Sequence, residues 1–153
     1  MADFNLEDFR AKMLKDFNEI RVIHSAEPLA FDPEINSSAQ AWAEKLAAAG
    51  KLLHRTDAKY GENLAFTTYI QGFDPVKLWY SEEPKANYTQ LGQNANCFHF
   101  TQLVWKKSKH IGIGVAKSPN KAGWFIVADF DHREMSSEPL PPMSHRKTPK
   151  QLT

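Results

Sequence analysis

The sequence predicts an α+β domain in which a small, mainly antiparallel sheet is covered by helices on both faces. Three observations predict it. Two long N-terminal segments carry apolar residues at helical spacing. Two later segments read as strands joined by a turn containing Pro119, Asn120 and Gly123, the pattern of an antiparallel hairpin. The order along the chain is helix, helix, strand, helix, helix, strand, strand. At 153 residues, with 42% hydrophobic and 24% charged positions, the chain is long enough for one domain with a full core.

Residues 5–24 are expected to form the first helix. Leu6, Phe9, Met13, Phe17 and Ile20 recur at spacings of three and four, Asn5 can cap the start, and Pro28 stops it. A second helix runs from near Pro33 to Ala49. Ser37 or Ser38 sits in its early turns, Ala39, Trp42, Ala43, Leu46 and Ala47 form its buried stripe, and Gly50 suits the C-terminal cap. His54 falls just beyond it. The block Gly61-Glu-Asn-Leu-Ala-Phe-Thr-Thr-Tyr69 turns and then alternates as a strand, which puts Glu62 at the entry. Asp74-Pro75 opens a short helix over residues 73–83, with Val76, Trp79 and Tyr80 apolar and Glu82 near its end. Residues 85–97 are polar and irregular. A fourth helix is expected over 98–108, followed by strands at Ile111–Val115 and Trp124–Phe130. From Glu138 onward, Pro139, Pro141, Pro142 and Pro149 mix with Ser, Thr and basic residues. The expected organisation is one domain over 1–137 and a disordered, Pro-rich basic tail over 138–153.

The segment Cys97-Phe-His-Phe-Thr-Gln-Leu-Val-Trp105 places His99 in aromatic and apolar surroundings. His54 in Lys-Leu-Leu-His, Glu62 in Gly-Glu-Asn and Glu82 in Trp-Tyr-Ser-Glu have the same character. Buried ionisable groups are costly unless they pair or bind a metal, so the four are easier to explain as one polar cleft than separately. Spacing alone does not show that they converge. Read singly, His54 is a capping or core histidine, Glu62 a turn residue, and Glu83 competes with Glu82 for the inward position.

Together, His-Phe-Thr-Gln-Leu-Val-Trp, Gly-Glu-Asn-Leu, Trp-Tyr-Ser-Glu and His54 make residues 8–131 resemble the CAP superfamily of cysteine-rich secretory proteins, venom antigens and plant pathogenesis-related proteins. The spacing and the lack of paired cysteines are most similar to its intracellular, Golgi-associated branch. The resemblance implies a three-layer α-β-α sandwich. It also implies that His54, Glu62, Glu82 and His99 line a central cleft able to hold a divalent metal, zinc being the ion that imidazole and carboxylate suit. Two departures stand out. Phe98 replaces the small residue that usually precedes the motif histidine, and Ile126-Val-Ala-Asp-Phe-Asp-His-Arg133 matches the family's second signature poorly.

Net charge is +1, but it is uneven: residues 1–76 carry 8 basic and 12 acidic groups, and residues 77–153 carry 11 and 6. Lys106, Lys107 and Lys109 belong to the basic half and form a candidate contact for anionic lipid; a solvated face is the plainer reading. The balance lacks the basic excess of a nucleic-acid binder. With one cysteine, Cys97, no intramolecular disulfide is possible, which points to a reducing compartment. The N-terminal residues show no signal-peptide pattern, and no apolar run approaches a membrane span. The expected location is therefore intracellular, in the cytoplasm or on the cytosolic face of Golgi membranes. The expected state is a monomer or weak homodimer. No Gly-x-Ser-x-Gly, His-Glu-x-x-His or phosphate-binding glycine loop is present. The leading expectation is a non-catalytic protein that engages lipid or an anionic membrane surface. A protein-interaction scaffold and a metal-dependent hydrolase are the alternatives.

Overall fold

The computed structural model describes residues 4–55, 59–85, 98–119 and 122–132. The polar segment 86–97 with Cys97, and the expected Pro-rich tail 138–153, lie outside the described residues.

Helix α1 spans Leu6–Ile23, and its start is capped as expected: the Asp8 N–H donates to Asn5 Oδ1 at 2.9 Å. Its end comes before Pro28. Ser25 turns into the left-handed region at φ 62°, and the Ala26 N–H returns to the Arg21 carbonyl at 2.8 Å. Strand β1 (Ala30–Phe31) follows, and then helix α2 (Pro33–Ala49). Asp32 caps α2, Pro33 occupies its first turn, and Gly50 closes it in the left-handed conformation at φ 70°. The remaining elements are β2 (Gly61–Thr67), α3 (Pro75–Tyr80), a single 3-10 turn (Glu83–Lys85), α4 (Phe98–Leu103), β3 (His110–Lys117) and β4 (Trp124–Phe130).

The four strands lie in the order β1-β3-β4-β2. β3 and β4 form the expected antiparallel hairpin, β2 pairs antiparallel with the other side of β4, and β1 pairs parallel with β3. β1 was not foreseen, because two residues carry no measurable periodicity.

Two apolar cores cover the two faces. On one, α2 contributes Ala39, Ala43, Leu46 and Ala47 against Leu64, Phe125 and Val127. On the other, Met13 and Phe17 of α1, Val76 and Trp79 of α3, and Phe100 and Leu103 of α4 pack on Ala65, Ile113, Ile126, Ala128 and Phe130. This is the α+β, helix-on-both-faces arrangement that the element order predicts. Gly112 and Gly114 let α2 sit close: a Cβ at either position would run into the α2 backbone, at Ile35 and Asn36 or at Ala39 and Gln40.

Two boundaries differ from the sequence expectation. The helix expected over 98–108 ends at Leu103, and the one expected over 73–83 covers Pro75–Tyr80. Arg21 accounts for the first. Its guanidinium, fully buried, donates to the carbonyls of Leu103 at 2.8 Å, Trp105 at 3.1 Å and Ser108 at 2.9 Å, while Nε takes Glu27 O at 2.6 Å. The Leu103 carbonyl, which a helix to 108 would have paired internally, is satisfied from α1 instead, and Trp105 O and Ser108 O beyond it are held by the same guanidinium. Lys106, Lys107 and Lys109 therefore lie in the turns beyond α4 rather than on its last turn.

Candidate functional site: two histidine–carboxylate pairs

Glu62 is the second residue of β2, at the strand entry where the sequence reading puts it, and it sits directly opposite Asp129 of β4. Its side chain is nearly buried. Oε1 lies 3.2 Å from His54 Nδ1 and accepts the Arg55 backbone N–H at 3.2 Å. Oε2 lies 3.4 Å from Arg55 Nε, an ion-pair separation rather than an aligned hydrogen bond. His54 itself is 64% exposed in its side chain, so this half of the site opens to solvent.

Glu82 follows α3 and bridges to α4. Its Oε2 stands 2.8 Å from His99 Nδ1, and its Oε1 accepts the Phe100 N–H at 3.1 Å. That N–H is one of the unpaired donors of the first helical turn, where a negative charge is favourable. His99 lies nearly parallel to the Trp79 ring, centroids 6.2 Å apart. Trp79 is fixed in turn by an indole hydrogen bond to Leu64 O at 3.1 Å. Glu82, not its neighbour Glu83, makes this contact, as the Trp-Tyr-Ser-Glu register favours.

β2 links the two pairs. Glu62 shares the α2 face of the sheet with Leu64, while the next residue, Asn63, donates its side-chain amide to His99 O at 3.1 Å. His54, Glu62, Glu82 and His99 thus stand as two carboxylate–imidazole pairs flanking the start of one edge strand. Among the described residues, no three His, Cys, Asp or Glu side chains gather as a ready-made metal cluster.

Two members of the site were not read from the sequence: Arg55 and Asp129. Arg55 donates to Asp129 Oδ2 at 2.6 Å, to Ser38 Oγ at 2.6 Å and to Ser38 O at 2.8 Å. Its guanidinium also lies 5.6 Å from the Trp42 ring centroid and 6.0 Å from that of Tyr60. Asp129 is fully buried. A carboxylate inside the apolar run Trp124–Phe130 requires a cation, and that was the available signal.

The lysines are placed separately. Lys107 and Lys109 are exposed, Lys106 is half-buried, and Lys109 Nζ pairs with Glu27 Oε2 at 3.0 Å. A concavity of about 420 Å³ lies between the N-terminal half of α1 and residues 70–75; its lining includes none of the four His and Glu residues. Among the described residues no helix is long and apolar enough to cross a membrane.

A four-stranded sheet with helices on both faces defines an α+β class, and comparison with known proteins gives its family. The family model for the cysteine-rich secretory protein family, CAP, matches residues 14–130, and this chain belongs to that family. The human Golgi-associated plant pathogenesis-related protein 1 is 35% identical over 128 residues, 81% of this chain and 82% of the relative. Pathogenesis-related protein 1 of Arabidopsis thaliana is 31% identical over 128 residues, covering 83% and 78%. Among solved structures, NaASP2 with Zn2+ superposes with a TM-score of 0.69 at 19% identity, covering 87% of this chain and 84% of that one, and so supports the fold.

Proposed function

We propose that this chain is a non-catalytic binding protein that engages a lipid or anionic membrane surface and takes a divalent cation in its His/Glu cleft. The observation that carries the cation reading is that His54 and His99 both turn Nδ1 toward a glutamate. A histidine that ligates a metal through one ring nitrogen characteristically donates the other to a carboxylate, which fixes its tautomer and aim. In that arrangement Glu62 and Glu82 orient the imidazoles, and Nε2 of each is the nitrogen available to zinc. The donor types fit zinc. Bound zinc would supply positive charge that offsets two carboxylates held in a partly desolvated place. NaASP2, of the same fold, is described with Zn2+, which makes zinc the first ion to test.

The reading is binding rather than hydrolysis because both carboxylates already face an imidazole. Activating a metal-bound water would require one of them to be released as the base.

The membrane half rests on the basic turn after α4. Lys107 and Lys109 project outward, and Lys109 gives up only an exposed ion pair with Glu27, of a kind that contributes little in water. The human relative is named as Golgi-associated, which agrees with a membrane surface as partner. The deciding experiment is cosedimentation with phosphatidylserine-containing and purely phosphatidylcholine vesicles, with and without chelator, beside a calorimetric zinc titration. Binding to the anionic vesicles alone and zinc uptake near one equivalent are expected. Absence of both sinks the reading and moves the protein-interaction scaffold ahead.

A further inference from the structure

We propose that Arg55 is the internal counter-ion of the cleft: it holds the Glu62 carboxylate out of the metal-ligand set and so sets how tightly this half takes a divalent cation. The proposal rests on the cation reading above and adds to it a residue that limits affinity.

Arg55 is unusually well anchored for a residue beside an open histidine. Its two terminal nitrogens are committed to Asp129 and Ser38, and Trp42 and Tyr60 lie over the guanidinium. It cannot swing away without breaking its 2.6 Å ion pair with Asp129, which is fully buried. Its Nε is thereby kept 3.4 Å from Glu62 Oε2, while its own backbone N–H occupies Oε1. Both carboxylate oxygens thus have partners from one residue. A dication approaching Glu62 meets a fixed positive charge within ion-pair distance and has to displace it to gain the ligand. Among the described residues Glu82 faces no such guanidinium: it faces His99 and the Phe100 N–H. The two pairs, alike in composition, are electrostatically unlike. Arg55 is a specificity-determining residue, not a ligand.

The test is zinc affinity by competition with a chelating dye, together with thermal unfolding to verify the fold. Arg55→Gln is combined with Asp129→Asn, so that the two charges of the buried ion pair are removed together. The expected result is zinc binding at least about tenfold tighter than wild type, within the range by which residues around a metal's ligands act. The gain should disappear when Glu62→Gln is added. Should the double variant fail to fold, Arg55→Lys serves. An ammonium can pair with Asp129 but has no second nitrogen to reach Glu62, so a smaller gain with the same dependence on Glu62 is expected. Unchanged or weaker zinc binding overturns the proposal, as does a gain that survives Glu62→Gln. If wild type binds no zinc and the Arg55 variant does, the proposal stands and the cation reading of the natural chain falls. If neither binds, both fall.

Discussion

Glu82 and His99 are 17 positions apart in the chain and 2.8 Å apart in space, and the same carboxylate receives the Phe100 N–H. One side chain therefore both orients an imidazole and caps the first turn of α4. The two roles separate by substitution. Glu82→Gln keeps an acceptor for the helix but weakens the pull on the His99 ring. It should cost little stability, about 1 kcal/mol, while lowering zinc affinity about tenfold or more. His54→Ala and His99→Ala should each remove the rise in melting temperature that zinc gives wild type through mass action. If both histidine variants take up zinc like wild type, the cleft is not a metal site.

Arg21 contributes to the fold rather than to the site. Burial pushes its pKa down to about 10, with Asp131 and Glu27 pulling the other way, so it stays charged at neutral pH. Its four carbonyl partners come from two segments, Glu27 after α1 and residues 103–108 at and beyond the end of α4. Arg21→Met removes the donor to those carbonyls, of which Trp105 O keeps the Ser108 N–H, and should cost on the order of 3 kcal/mol. Arg21→Lys should recover only part, because one ammonium cannot span the set. The check is urea unfolding. A loss below about 1 kcal/mol for Arg21→Met, the size of a single ordinary hydrogen bond, would show that water replaces the guanidinium.

Much of the architecture was legible because helical spacing, proline and glycine placement and the Ile-Gly-Ile-Gly-Val alternation are local signals. What escaped depends on distant partners. The end of α4 is set by a guanidinium from α1, more than 80 positions away, and β1 exists only because β3 lies beside it. At the site, the motif blocks pointed to His54, Glu62, Glu82 and His99 but not to their grouping in pairs, which follows from strand register and from Asn63 reaching across to α4. Arg55 was overlooked because an arginine after a histidine reads as surface. The buried Asp129 that fixes it was visible as a lone carboxylate in an apolar strand.

Asp131 ties the end of β4 to the start of β3. Burial alone would raise its pKa. The His110 hydrogen bond and the backbone N–H groups of Lys109 and His110 outweigh that and hold it below the ordinary 3.8. A carboxyl whose folded pKa is depressed stabilises the fold fully above its unfolded pKa, and this contribution is lost as pH falls through the folded value. Wild type should therefore keep this contribution from neutral pH down to about 4 and lose it below. Asp131→Asn should be less stable than wild type by about 1 kcal/mol at pH 7, and the gap should narrow below pH 4. Thermal midpoints of both proteins across that range are the measurement, and a gap independent of pH would show that ionised Asp131 is not what holds the strand ends.

The last prediction concerns the turn beyond α4. Because α4 ends at Leu103, Lys106, Lys107 and Lys109 do not sit on its final turn, and a favourable interaction with the helix dipole does not account for them. If they meet anionic lipid, each should contribute on the order of 1 kcal/mol at low salt. Binding to phosphatidylserine-containing vesicles should then fall steeply as salt shortens the screening length, and should be absent on neutral vesicles. A triple Lys→Gln variant should lose most of the binding while keeping its melting temperature within about a degree or two, since exposed ion pairs such as Lys109–Glu27 add little. Its zinc affinity should be unchanged, because the two His–Glu pairs are partnered by one another, by Arg55 and by the Phe100 N–H, and not by these lysines. Conversely, a His54→Ala/His99→Ala protein should sediment with the vesicles like wild type. Vesicle binding that ignores both salt and the lysine substitutions would remove the electrostatic account. Binding lost with the histidines instead would place the lipid contact in the cleft itself.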